Sequence, residues 1–270
     1  MKHEHPRTFH DYNHAREYDR IVAKSDFRAQ LAARLRDILE LRGSEYVLDI
    51  ATGTGRFAGG IAERLTTGVV VGIDTAAAML RVGREEIENV LFDRYCQIIG
   101  VAQTLPFASE IFDCAFVAFS FHHFGGPPEG IVREAHRVLK PGGRFVILDP
   151  VFQEPRDEVD VAVHNIVHQA FRRAHGDEFR FYSAAEILAI LHKGAVWNAV
   201  FAEIHRLSFD QDNPDGIPTA RHWVEAAAEV EHQPSDVKRR FEENYFRYIK
   251  QGEGYRITGS LSYSIVWATK

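Results

Sequence analysis

The residues most committed to chemistry are Asp49-Ile50-Ala51-Thr52-Gly53-Thr54-Gly55-Arg56-Phe57-Ala58. From Gly53 the spacing is G-x-G-x-x-A, which lets a backbone approach a dinucleotide pyrophosphate. From Asp49 the same stretch is a carboxylate feeding a short glycine turn. Asp74 follows about 20 residues later, where a carboxylate accepts both hydroxyls of an adenosine ribose. Asp74 suits either ligand, so Asp49 has to separate them. A carboxylate just ahead of the turn repels a pyrophosphate and attracts an ammonium, by on the order of a few kcal/mol at an effective dielectric near 20. The residues favour a ligand that joins an adenosine to a cation. S-adenosylmethionine, with an ammonium and a sulfonium, is such a ligand.

Alternating strands and helices must position these residues. Phe27, Leu31, Leu35, Ile38 and Leu39 recur at helical spacing and predict an amphipathic helix ending near Arg42-Gly43. "YVLDI", "GVVVGID", "YCQII", "FDCAFVAFS" and "RFVILD" read as buried strands. Helices are expected between them, over "TAAAMLRVGREEIENVLF" and from about Pro128 to Lys140, the latter stopped by "KPGG". This alternation predicts a doubly wound α/β sheet. Beyond Pro150 the chain turns mainly helical. "AVFAEIHRLSF" is a candidate sixth strand, "DQDNPDGIP" a turn, and a helical block is expected through about Lys250. "SLSYSIVWATK" alternates like a closing strand. The expected divisions are an N-terminal helical segment (1–40), a cofactor-binding core (41–150), a helical cap holding one core strand (151–250) and the closing strand (251–270).

"VLDIATGTGRF", "VVGIDTAAAML", "AQTLPFASEIFDCAFVAFSFHHF" and "EAHRVLKPGGRFVILD", in this order, resemble the class I S-adenosylmethionine-dependent methyltransferases. The likeness is greatest to the small-molecule branch that includes the quinone-biosynthesis C-methyltransferases. It covers residues 41–150, and the last strand is similar to that family's antiparallel one. The resemblance implies a Rossmann-like seven-stranded sheet and methyl transfer from S-adenosylmethionine, leaving S-adenosylhomocysteine. It implies that Asp49, Ala51, Gly53 and Gly55 frame the methionine end and that Asp74 holds the ribose. Thr75 and Met79 would flank the adenosine, Val101 and Ala102 the adenine, and Ser120 the floor between cofactor and acceptor. Two positions depart from the pattern. Ala51 replaces the first turn glycine, and Val101 replaces an aspartate near the adenine amino group, forfeiting about 1 kcal/mol unless Gln103 supplies the hydrogen bond.

A proton acceptor is needed only where the nucleophile starts protonated. His122 and His123, directly after the fourth strand, are the candidate bases, with a purely structural "HHF" turn as the alternative. His164 and His168 share a helix face at i, i+4, and with Arg180, Tyr12 and Tyr18 they are candidate acceptor contacts. No metal site is expected, because the pair has no acidic or cysteine partner nearby, and His3, His5, His10 and His14 read as a scattered terminal group.

The formal net charge of -6 over 270 residues argues against a nucleic-acid partner. No apolar run is long enough to cross a bilayer. Cys96 and Cys114 read as small core residues. A cytoplasmic enzyme acting on a small-molecule methyl acceptor is the resulting expectation, with a homodimer left open. Two other readings stand beside it: a methyltransferase-like protein that binds cofactor or a partner without transfer, and a nicotinamide-dependent oxidoreductase, which Asp49 and the later motifs disfavour.

Overall fold

The computed structural model describes residues 7–23, 26–88, 91, 93–212, 220–252 and 254–270. The apolar runs after the first helices become parallel strands: β1 (Tyr46–Ile50), β2 (Val69–Asp74), β3 (Tyr95–Ile99), β4 (Phe112–Ala118) and β5 (Leu139–Phe152). Together with β6 (Tyr182–Ser183), β7 (Ala199–Asp212), β8 (Phe246–Gln251) and β9 (Gly254–Thr269) they form one nine-stranded sheet. Its main path has seven strands, in the order β3-β2-β1-β4-β5-β9-β7. β9 runs antiparallel to both β5 and β7, as the family resemblance implies. β6 is appended to β5 and β8 to β9.

Helices cover both faces because the strands are apolar on both. α2 (Asp26–Leu39) and α3 (Arg56–Ala62) pack on one face through Leu35, Phe57 and Ile61. α5 (Glu129–Val138) and α7 (Ala184–Gly194) pack on the other through Ile131, Val132, Ile187 and Leu191. α4 (Ala77–Gly83) continues into a single π-helical turn, Arg84–Glu88. α6 (Glu158–His175), α8 (Ala220–Val230) and α9 (Ser235–Asn244) form the cap, bound through Phe171, Trp223 and Phe241. α1 (Tyr12–Ala23), preceded by a 3-10 turn at Arg7–His10, packs on α4 through Ala15, Met79 and Val82.

Several local expectations change. The helical block before Lys250 ends at Asn244, and Phe246–Gln251 is a strand, because its backbone pairs with β9 from Phe246–Gly259 to Gln251–Gly254. "KPGG" ends the helix but lies within β5, where Gly142 takes φ +79. Cys96 is exposed on β3; only Cys114 is a core residue, its thiol pushed up to about 12 by burial. Arg240 ties α9 to α6 through Asp157 and Asp160. His3, His5 and most of "DQDNPDGIP" lie outside the described residues.

Candidate active site

The C-terminal ends of β1, β2, β4 and β5 open into a cavity of about 1380 Å³. In an open α/β sheet this is where ligands sit, at the point where strand order reverses from β1 to β4. The turn after β1 is tight. Thr52 N–H donates to the Ile73 carbonyl and Gly55 N–H to the Thr52 carbonyl. Ala51, Gly53 and Gly55 all take left-handed angles, at φ +58, +57 and +79. A Cβ on Gly55 would lie 2.2 Å from the Tyr95 hydroxyl, so this glycine permits packing beneath the turn, whereas Gly53 lines the cavity.

Asp49 does not face the cavity. It is 2% exposed, under the turn, and accepts a 2.7 Å hydrogen bond from the Thr52 hydroxyl. Burial raises its pKa to about 8, opposed by the Thr52 bond and reinforced by Asp74. The direct attraction expected between Asp49 and a ligand cation is therefore replaced by a buried carboxyl that shapes the turn. Of the two aspartates, Asp74 borders the cavity. Its two oxygens accept the N–H groups of Gly53 and Ala76, each at 2.8 Å. Burial raises its pKa, while those backbone hydrogen bonds pull it back. Thr75, Met79, Val101, Ala102 and Gln103 continue the same wall, with Val101 48% exposed at its edge.

After β4 the chain bends at Phe119, held at φ +54, and the Ser120 hydroxyl donates to the Ala51 carbonyl at 3.2 Å. His122 follows with its Nδ1 2.9 Å from Asp149 at the end of β5. His123 packs against His122 and His175 at ring-centroid distances of 4.2 and 4.9 Å, and His222 lies 4.9 Å beyond His175. Burial first, then its histidine neighbours, push the His123 pKa well below its ordinary value. Phe171, Phe181, Trp223 and Tyr263 complete this aromatic end of the cavity. Among the described residues, no three of His, Cys, Asp or Glu are grouped to hold a metal ion.

Known proteins match this arrangement. The family model described as a methyltransferase domain matches residues 48–147. A demethylmenaquinone methyltransferase of Thermus thermophilus is 37% identical over 138 residues, covering 50% of this chain and 61% of that protein. Its namesake in Chlorobaculum parvum is 33% identical over 133 residues, 49% of this chain and 52% of the relative. The chain thus spans about half to three-fifths of the curated relatives it matches. Residues 48–147 match a methyltransferase domain, and about half of the chain resembles the demethylmenaquinone methyltransferases. The fold agrees over a longer span. The YcgJ protein of Bacillus subtilis superposes with a TM-score of 0.68 at 21% identity, covering 88% of this chain and 97% of that one. A phosphoethanolamine N-methyltransferase of Haemonchus contortus in complex with S-adenosyl-L-methionine gives 0.63 at 17% identity, covering 98% and 58%.

Around the methyltransferase domain, the structure redistributes the expected acceptor contacts. Tyr18 lines the cavity, but Tyr12 lies outside it, with its hydroxyl on Glu85 and its ring under Arg81. His168 accepts the Phe181 N–H at 3.1 Å and His164 stacks on Phe152, so both histidines pack the cap and neither lines the cavity. Arg180 turns outward to Glu186. His10 and His14, read as a loose terminus, border the cavity.

Three lining or supporting residues were missed from sequence. Arg28 projects from α2 into the cavity, 4.2 Å above the Phe119 ring and 3.4 Å from the Tyr18 hydroxyl. Its buried Nε has no hydrogen-bond acceptor among the described residues. His175 lines the cavity, and among the described residues neither of its ring nitrogens has a hydrogen-bond partner. Asp149 is the partner of His122. The available signal was an acid at the end of a buried strand, "VILDP", beside the strand that ends in "FHHF".

Proposed function

We propose that the protein transfers a methyl group from S-adenosylmethionine to a small-molecule acceptor, at carbon or oxygen. The observation that carries this is one cavity with two chemically different ends over the switch point of a methyltransferase domain. Asp74 and the glycine turn form one end, and an aromatic and histidine wall forms the other. Its volume of about 1380 Å³ exceeds the 300–1,000 Å³ usual for a single small ligand, leaving room for an acceptor beside the cofactor.

The residues suit the cofactor. Asp74, fixed by two backbone N–H groups, presents its remaining lone pairs to the ribose hydroxyls. Thr75, Met79, Val101, Ala102 and Gln103 hold the adenosine, and Ala51 and Gly53 the methionine end. Arg28, whose Nε lacks an acceptor, pairs with the cofactor carboxylate. The cofactor supplies a methyl group on a sulfonium. The protein's part is alignment of the nucleophile with that methyl, exclusion of water by the aromatic wall, and handling of the acceptor's proton. Ser120, tied to the turn, keeps the two ends in register.

The relatives named above act on demethylmenaquinone by their names, and a quinol-type ring fits an aromatic wall. We infer a cytoplasmic setting from the balanced charge and two free cysteines; among the described residues no helix is long and apolar enough to cross a membrane. Calorimetry with S-adenosylmethionine and with NAD tests the cofactor, and binding of NAD alone would overturn the reading. Asp74→Ala is expected to weaken S-adenosylmethionine binding at least about tenfold, the loss of a charge-assisted hydrogen bond. Transfer of labelled methyl to a panel of phenols, quinols and amines tests the activity.

A further inference from the structure

Asp149 is wholly buried, and among the described residues the hydrogen bonds it accepts come from the turn after β4. Phe121 N–H donates to one oxygen at 3.2 Å. His122 N–H, at 3.1 Å, and His122 Nδ1, at 2.9 Å, meet the other. A carboxylate only accepts, so Nδ1 carries the imidazole proton and Nε2 keeps its lone pair. Phe179 and Phe181 flank the ring at 5.1 and 5.4 Å, and Arg180 N–H fixes the His122 carbonyl at 3.1 Å. The ring is thereby held in one tautomer and one orientation. It lines the cavity two residues beyond Ser120, between the cofactor end and the aromatic wall. His123 has no such carboxylate, and its surroundings keep it neutral and weakly basic.

We propose that His122, positioned by Asp149, is the general base of this protein, and that its acceptors carry an ionisable hydroxyl on or conjugated to the methylated atom. The proposal rests on the methyl-transfer reading above. His122 Nε2 takes the hydroxyl proton as the oxygen, or the ring carbon conjugated to it, forms a bond to the methyl carbon. The carbon–sulfur bond breaks and its electron pair stays on sulfur, so the positive charge passes from sulfonium to imidazolium beside the Asp149 carboxylate. For a carbon nucleophile, the ring C–H proton then leaves to water while His122 returns the hydroxyl proton. Either way one proton is released per methyl transferred. A neutral amine needs no base before attack, so amines gain nothing from this pair.

Two measurements on the full chain decide the matter. In protein labelled with 15N-histidine and loaded with S-adenosylhomocysteine, long-range proton–nitrogen correlations at pH 7.5 should show His122 neutral with its proton on Nδ1. Asp149→Asn should relax this to a mixture of tautomers. A wild-type His122 protonated on Nε2 overturns the proposal. With 1,4-dihydroxynaphthalene as acceptor, His122→Gln should lower kcat at least about 100-fold with the cofactor dissociation constant within about threefold. Added imidazole should partly restore His122→Ala, and Asp149→Asn should lower kcat with the cofactor dissociation constant unchanged. A kcat unchanged in His122→Gln, or a loss confined to KM, overturns the base. A wild-type protein that binds the cofactor but methylates no phenol, quinol or amine overturns the methyl-transfer reading itself, and the base falls with it. Transfer to amines alone leaves that reading standing and removes the base.

Discussion

At the residue scale, Ala51 and Asp49 show how one turn stores cost. Ala51 sits at φ +58, where a Cβ is disfavoured by roughly 1–2 kcal/mol and glycine is not. Part of that gain is offset by the greater chain entropy glycine loses on folding, about 0.5–1 kcal/mol. Ala51→Gly is accordingly expected to stabilise the cofactor-free protein by about 0.5–1 kcal/mol, seen as a higher urea midpoint at constant slope. Asp49, raised to about 8 by burial, binds its proton more tightly folded than unfolded. Its contribution is therefore complete below the unfolded value near 4 and is lost as pH rises toward 8. The stability of wild type relative to Asp49→Asn should fall between pH 5 and pH 8 in paired urea titrations. A gap that stays constant or widens in favour of wild type would contradict the burial argument. Asp49 was legible as a residue that matters, but its direction was not. Two faces of a turn look alike in sequence, and burial beneath it changes a carboxylate lure into a largely protonated support.

At the element scale, two junctions fasten helices to the core, and only one of them belongs to the site. α7 begins with a capping box: the Ser183 hydroxyl accepts the Glu186 N–H at 3.2 Å, and the Glu186 side chain accepts the Ser183 N–H at 2.8 Å. Ser183→Ala should cost about 1 kcal/mol in chemical denaturation, with cofactor affinity unchanged, because α7 contributes no residue to the cavity lining. α1 is fastened differently. Buried Asp19 pairs with Arg56 at the first turn of α3, and Glu86 approaches the same guanidinium at 3.9 Å. Asp19→Ala removes that tie and should weaken S-adenosylmethionine binding about tenfold by calorimetry, since Tyr18 and Val22 of α1 line the cavity. The apolar periodicity of α2 and the near-continuous strands were readable because burial on a sheet demands them. The strand at Phe246–Gln251 was not, because its hydrogen-bond partner, β9, follows it only through a hairpin whose pairing local propensity does not encode.

At the scale of the whole molecule, the cap is set against acid. Burial first of all lowers the pKa values of His164, His168 and His175 on α6, to about 4 for His168 and about 3 for His175. Each binds fewer protons folded than unfolded below pH 6.5, so stability present above that pH is lost as pH falls toward 4. Titration from pH 7 to pH 4 should loosen the cap before the sheet, reported by fluorescence of buried Trp223. The substitution His168→Gln should blunt the transition, while a pH-independent signal over that range would refute it.

The sequence alone determined the alternating sheet, the glycine turn and the pair Asp49 and Asp74, because strand burial and close backbone approach each impose a short-range pattern. The tertiary structure alone decided which of the two acids borders the cavity. It also decided that Arg28 enters from α2, that His10 and His14 join the site while His164 and His168 leave it, and that Asp149 takes His122 as its partner. Contacts such as Arg28 on Phe119 and His122 on Asp149 are created by strand order and helix packing, and no local spacing records them.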